Sequence, residues 1–213
     1  MEKENDYDRN VFINCAFDST FIDQFRAIVF TVHSCGFIAR CALETGNNVV
    51  RFDKIIRIIE ECRYGIHDLS CIELTNDSPL PRFNMPYELG IFMGCKEFGN
   101  DKQKNKDFIV LDSEAHRYKI LISDLAGFDF PPYDKKDINS IIKLIRDWLN
   151  SSSAKSIPGP SYHQDRYSKF LEKLPEMCAK MHTVPKSLDF KEFYALTSLW
   201  IQRENINLLS GIS

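Results

Sequence analysis

The chain contains no stretch that resembles a membrane span or a secretion signal. No apolar run approaches the ~20 residues needed to cross a bilayer, and the first six residues, Met-Glu-Lys-Glu-Asn-Asp, are too polar for a signal peptide. The seven cysteines are odd in number, form no C-x-x-C pair and lie mostly inside apolar segments. We therefore expect a cytoplasmic protein whose cysteines are reduced and contribute to its core.

The motifs of several common cofactor and catalytic sites are also missing. The sequence has no G-x-G-x-x-G, no G-x-x-x-x-G-K-[ST], no H-E-x-x-H and no G-x-S-x-G. These absences argue against a Rossmann cofactor site, a P-loop, a zinc site and a hydrolase elbow. The net charge of -3 argues against a general nucleic-acid binder. We expect no cofactor, no metal, no direct nucleic-acid binding and no membrane partner.

What the sequence does contain is an alternation of apolar strands and amphipathic helices. Its 213 residues, 44% hydrophobic and 27% charged, suit one globular domain, or one domain with a helical appendage. This alternation predicts a parallel sheet with helices on both faces. The predicted strands are Val11–Phe17, Phe37–Ala42, Gly65–Ser70 and Asp107–Leu111, and the predicted helices are Phe21–Ser34, Asp53–Cys62, Met85–Phe98 and Ile138–Leu149.

The last quarter of the chain differs from this pattern. Residues 151–160, rich in Ser, Pro and Gly, are typical of a linker between a domain at 1–150 and a helical extension at 161–213. Two helical segments are predicted in the extension, Tyr162–Met181 and Leu188–Leu208. They fit either a small cap packed on the main domain or an element that binds a protein partner or forms an oligomer.

The stretch from Arg82 to Gly90 is the most informative for chemistry. Asn84 is predicted to cap a helix, with Pro86 in its first turn, where a missing N–H costs nothing. Glu88 would then lie in the first turn, where the helix dipole favours its ionised form by ~0.3–1 kcal/mol. An ionised, partly shielded carboxylate can act in N-glycosidic cleavage as a nucleophile or as a stabiliser of an oxocarbenium ion. Alternatively, Glu88 merely satisfies the helix dipole.

A second carboxylate, Asp68, ends the third predicted strand and is followed by Ser70. Asp68 either caps the next segment, binds a ribose hydroxyl or acts as a catalytic residue that protonates a leaving base. Both carboxylates would lie at the C-terminal edge of a parallel sheet, where open α/β proteins bind ligands. His67 alternates with Asp68 and so is predicted to face the other side of the sheet as a structural histidine.

Several polar residues are predicted to border the same edge. Asp18 and Ser19 follow the first strand and either touch a ligand or cap a helix. Arg51 and Arg82 flank the edge, and they either hold a phosphate or are ordinary surface arginines. The candidate substrate-binding residues are Asp18, Ser19, Arg51, Ser70, Arg82, Asn84 and Tyr87.

The segment Met85–Gly94, M-P-Y-E-L-G-I-F-M-G, followed after a loop by Phe108–Leu111, resembles the nucleoside 2-deoxyribosyltransferase family. In that family the nucleophilic glutamate lies in a similar M-E-L-G-x-A helix before an apolar strand. The resemblance covers roughly residues 9–150. It implies a flavodoxin-like α/β three-layer sandwich with a mostly parallel sheet, here with a C-terminal helical extension. It also implies Glu88 as nucleophile and Asp68 as a contact to sugar or base.

The related Toll/interleukin-1-receptor-like domains carry their NAD-cleaving glutamate on the equivalent helix, which again implies Glu88. This chain has Met-Pro-Tyr where those domains commonly have a Trp-Cys pair. By analogy, the superfamily implies NAD as an alternative substrate and a role as a nucleotide-depleting effector in bacterial antiviral defence.

Two hypotheses of different classes follow. The first is an enzyme, an N-glycosidase or (deoxy)ribosyltransferase acting on a nucleoside, nucleotide or NAD. The second is a nucleotide-sensing or adaptor domain with the same pocket and no turnover. Because folds of this type often share pockets across subunits, we expect a homo-oligomer.

Overall fold

A computed structural model describes residues 6–44, 50–72 and 81–210, with side chains up to residue 206. Within them, four parallel strands form one sheet in the order β2-β1-β3-β4. In this order β1 lies between β2 and β3. The chain adds β2 on one side of β1, and it then adds β3 and β4 on the other side. The strands are β1 (Asn10–Asn14), β2 (Ile38–Cys41), β3 (Tyr64–Asp68) and β4 (Asp107–Leu111).

Helices cover both faces of this sheet, which makes the molecule a three-layer α/β sandwich and confirms the predicted fold class. One face carries α1, α6, α7 and α8, and the other carries α2 and α3. The helices are α1 (Ile22–Ser34), α2 (Arg51–Glu61), α3 (Asn84–Phe98), α4 (Asp101–Lys104), α5 (Arg117–Leu121), α6 (Ile138–Ser152), α7 (Pro160–Lys180) and α8 (Phe190–Ser210).

The C-terminal helices α7 and α8 share a hydrophobic core with α1. Phe30 of α1 stacks on Phe170 of α7 with ring centroids 5.2 Å apart, and it lies 5.8 Å from Trp200 of α8. Phe170 also contacts Phe193 of α8 edge-on. The last part of the chain is therefore packed through aromatic side chains, which contribute large buried areas, against a helix that covers the sheet.

On the opposite face, a glycine sets how closely α3 approaches the sheet. A Cβ at Gly65 of β3 would lie 2.9 Å from the ring of Phe92 and 2.7 Å from Nε2 of His67. No larger residue fits without moving one of these rings. Gly65 therefore allows α3, and the site at its N-terminal end, to sit directly on β3.

The predicted elements occur with shifted ends. Asn150, Ser151 and Ser152 extend α6 instead of starting a linker. Parts of two predicted loops, residues 45–48 and 73–80, lie outside the described residues, as do 211–213 of the predicted extension. Among the helices that are described, none is both long and apolar enough to cross a lipid bilayer.

Candidate functional site

A cavity of about 510 Å³ opens at the C-terminal edge of the sheet, beside the end of β1 and the start of α3. Here the connections leave neighbouring strands in opposite directions, and doubly wound folds bind ligands at this point. The loop after β1 forms one wall and the start of α3 the other. The lining residues are Asn14, Cys15, Ala16, Phe17, Asp18, Arg51, Pro81, Arg82, Phe83, Asn84, Met85 and Glu88.

A second cavity of about 230 Å³ adjoins the first between the N-terminal ends of α2 and α3. Arg51, Asn84 and Glu88 line both cavities. At the outer rim Tyr87 is 58% exposed and stacks on Phe52 with ring centroids 6.0 Å apart. The two cavities therefore meet at Glu88 and together offer space for a ligand with two parts.

Glu88 is only 7% exposed. Within the described residues its carboxyl group receives no hydrogen bond and forms no ion pair within 4 Å. Burial raises the pKa of Glu88 to about 7, and the guanidinium of Arg51 opposes this rise. A carboxyl group with this pKa exchanges its proton near neutral pH, as acid–base and nucleophilic catalysts do.

The start of α3 corrects two predictions. Asn84 is the first helical residue and not the cap, because Phe83 occupies the N-cap position and no side chain bonds there. Glu88 is therefore the fifth helical residue. It lies beyond the first turn, and the effect of the helix dipole is strongest within that turn. Burial raises the pKa of Glu88, so the dipole that the sequence predicts to favour its ionised form does not by itself determine its ionisation.

A polar residue that sequence reasoning missed ties α3 to the sheet. Asn14, at the end of β1, donates from Nδ2 to the Met85 carbonyl at 2.9 Å and lies 3.0 Å from Nδ1 of His67. His67 is fully buried among Phe12, Phe92 and Phe108, as the prediction of a structural histidine requires. Burial lowers the pKa of His67 to about 3, so the ring is neutral and Nδ1 accepts.

Asp68 is fully buried and does not line either cavity. Its Oδ1 accepts from the backbone N–H of Ser70 at 2.9 Å and from Ser70 Oγ at 2.6 Å, and its Oδ2 accepts from the Tyr133 hydroxyl at 2.8 Å. Burial raises the pKa of Asp68 to about 6, although these hydrogen bonds oppose the rise. Ser70 therefore donates hydrogen bonds to Asp68 and does not line the cavity.

The remaining predicted residues divide into paired and unpaired groups. Arg82 forms an ion pair with Asp18 across the larger cavity. The hydrogen bond from Thr20, together with Arg82, lowers the pKa of Asp18. Ser19 is exposed and lies outside the cavity walls. Arg51, at the first position of α2, forms no ion pair within the described residues.

Of the nine predicted site residues, the structure brings five together in the larger cavity and a sixth at the rim of the smaller one. The five are Asp18, Arg51, Arg82, Asn84 and Glu88, and the sixth is Tyr87. In the described part of the chain, no cluster of three His, Cys, Asp or Glu residues suits a metal ion.

Comparison of the chain with protein-family models gives no match, and comparison with curated proteins gives none either. The similarity of the α3 segment to deoxyribosyltransferases therefore stays a prediction from its sequence motif.

The raised pKa of Glu88 predicts a pH-dependent stability. Between about pH 4.5 and 7 the native state keeps a proton that the unfolded state has lost, so stability falls as pH rises. A neutral Gln avoids this cost. We expect the free energy of unfolding of Glu88→Gln, relative to wild type, to increase by on the order of 3 kcal/mol between pH 4 and pH 8.

Urea unfolding at both pH values measures this difference. Glu97→Gln, an exposed substitution on the same helix, is the matched control and should show no such increase. An equal response of the two variants would contradict the burial of an uncompensated carboxyl group at position 88.

Proposed function

We propose that the protein cleaves or transfers the N-glycosidic bond of a nucleoside, nucleotide or NAD, with Glu88 as the nucleophile. The observation that carries this proposal is Glu88, a buried residue whose carboxyl group has no hydrogen-bond donor among the described residues, where two cavities meet at the C-terminal edge of the sheet.

Other buried carboxylates in this molecule show what a structural role looks like. Asp68 is bonded by Ser70 and Tyr133, and Asp112 is held by the guanidinium of Arg117. A buried carboxyl group without such partners costs stability, and a binding or catalytic site is the usual reason for keeping one.

The proposed reaction has two steps. The carboxylate of Glu88 attacks the anomeric carbon as the bond from that carbon to the base nitrogen breaks. A nucleobase leaves with a proton from solvent, whereas the nicotinamide of NAD leaves as a neutral molecule without one. Water, or the nitrogen of another base, then attacks the same carbon and releases Glu88. Water gives hydrolysis, and a second base gives transfer.

Asp68 has no contact with substrate in this proposal, because its carboxylate is enclosed and both its oxygens are bonded. It instead fixes the chain where β3 ends, through Ser70 and Tyr133. This enclosure is also the observation that favours the second candidate function, a nucleotide-sensing domain without turnover, because among the described residues Glu88 is the one carboxylate of the cavity without an ion pair.

Incubation of the purified protein with nucleosides, nucleoside 5′-monophosphates and NAD, followed by chromatography and mass spectrometry, tests the proposal. We expect free base from at least one of them. Binding of a nucleotide with no base released from any substrate would instead support the sensor.

The pH dependence of turnover gives a further prediction. Only ionised Glu88 can attack, so kcat/KM should fall tenfold per pH unit below the pKa of about 7. Removing Arg51, whose charge opposes the rise in that pKa, should move this acid limb to higher pH. A rate that stays constant from pH 5 to 8 would argue against Glu88 as the nucleophile.

A further inference from the structure

The two helices that border the smaller cavity both begin without a side-chain cap. The N-cap residues are Val50 for α2 and Phe83 for α3, and neither has a side chain that can accept a hydrogen bond. By contrast, Asp137 caps α6 by accepting from the N–H of Asn139 at 2.9 Å. Among the described residues, the first N–H groups of α2 and α3 therefore have no side-chain acceptor, and they carry partial positive charge.

Arg51 adds a full positive charge at the same place. It lines both cavities and forms no ion pair within the described residues, whereas Arg82 pairs with Asp18 and Arg40 with Glu44. Asp53 also lies in the first turn of α2, but it is exposed and lines neither cavity. The guanidinium of Arg51 and the N–H groups at the two helix starts are thus available to bind an anionic ligand.

Glu88, a residue only 7% exposed whose carboxyl group has no hydrogen-bond donor among the described residues, lines the same space, and this marks the space as a ligand site. We infer that the substrate is a nucleotide whose phosphate binds to Arg51 and to the first turns of α2 and α3. This inference rests on the proposed function and specifies its substrate class.

The chemistry of a nucleotide fits this arrangement. The sugar separates the 5′-phosphate from the anomeric carbon, so an anion at Arg51 and a reacting carbon at Glu88 can occupy the same site. The positive charge of Arg51 balances the phosphate and the carboxylate of Glu88. Helix N-termini are ordinary phosphate-binding positions. A mononucleotide and NAD both carry such a phosphate.

Arg51→Gln tests the inference, with Arg57→Gln as the matched control. Arg57 is an exposed arginine on α2 that lines neither cavity. Substrates are the four 2′-deoxynucleosides, their 5′-monophosphates, the matching ribonucleotides and NAD. We expect Arg51→Gln to raise KM for the phosphorylated substrate about 10- to 100-fold. Arg57→Gln should change it less than about 2-fold.

Equal kcat/KM for nucleosides and their monophosphates, or equal effects of the two variants, would overturn the inference while leaving base release in place. If wild type releases no base, the proposed function fails. Calorimetric titration with the same nucleotides and with inorganic phosphate then decides the inference separately. Nucleotide binding that Arg51→Gln weakens and Arg57→Gln does not would support it, and binding equal in both would refute it.

Discussion

Glu88→Gln is expected to reduce base release at least about 10³-fold while leaving the fold intact. Gln has nearly the same shape as Glu but carries no negative charge to attack the anomeric carbon, and loss of a nucleophile is among the largest effects seen in enzymes. Because Glu88 is bonded to no other described residue, the change removes no stabilising contact. Chromatographic measurement of free base, beside circular dichroism of both proteins, separates activity from folding.

Glu97→Gln is again the control, since it removes the same charge from an exposed position on α3. It should retain wild-type turnover. Retention of turnover in Glu88→Gln, with a folded protein, would remove Glu88 from the chemistry and with it the proposed mechanism.

Phe170→Ala is expected to destabilise the whole chain by about 3–5 kcal/mol, because it empties the centre of the aromatic core shared by α1, α7 and α8. For a chain of this size that corresponds to a fall in Tm of roughly 10 °C. We expect Trp148 and Trp200 fluorescence and the far-ultraviolet circular dichroism signal to report one coincident transition in urea.

Leu171→Ala provides the comparison, because Leu171 is the next residue on α7 and is 42% exposed. Its loss should cost less than about 1 kcal/mol. Two separate transitions in wild type, or a small effect of Phe170→Ala, would show that the C-terminal helices fold independently of the sheet, as a linker at 151–160 implies.

Much of the fold could be predicted from the sequence because each element carries its own periodic signal. Ile55, Ile58 and Ile59 recur at helical spacing and are all buried in α2. The apolar run Asp107–Leu111 forms β4 with the predicted ends. Helix ends were less predictable, since Asn84 is a good cap by type, yet the cap position falls on Phe83.

The site was predictable only where the backbone alone places a residue at the sheet edge. Glu88 follows from its position after β3, but the enclosure of Asp68 depends on Tyr133, a residue distant in sequence. The link from Asn14 to Met85 likewise joins β1 to α3 across a large sequence separation. Periodicity carries no information on such pairs, because side-chain partners between elements are decided by tertiary packing.

The Asn14 link has a consequence for how this protein can change. The backbone that carries Glu88 is anchored to the end of a buried central strand, and His67 and Gly65 support it from β3. The residues offered to a ligand, such as Arg51, Arg82 and Tyr87, belong instead to helix starts and a loop around that anchor. If the proposed function holds, selection or engineering can therefore exchange these surrounding residues while Glu88 keeps its place, which makes the scaffold suited to acquiring new ligands.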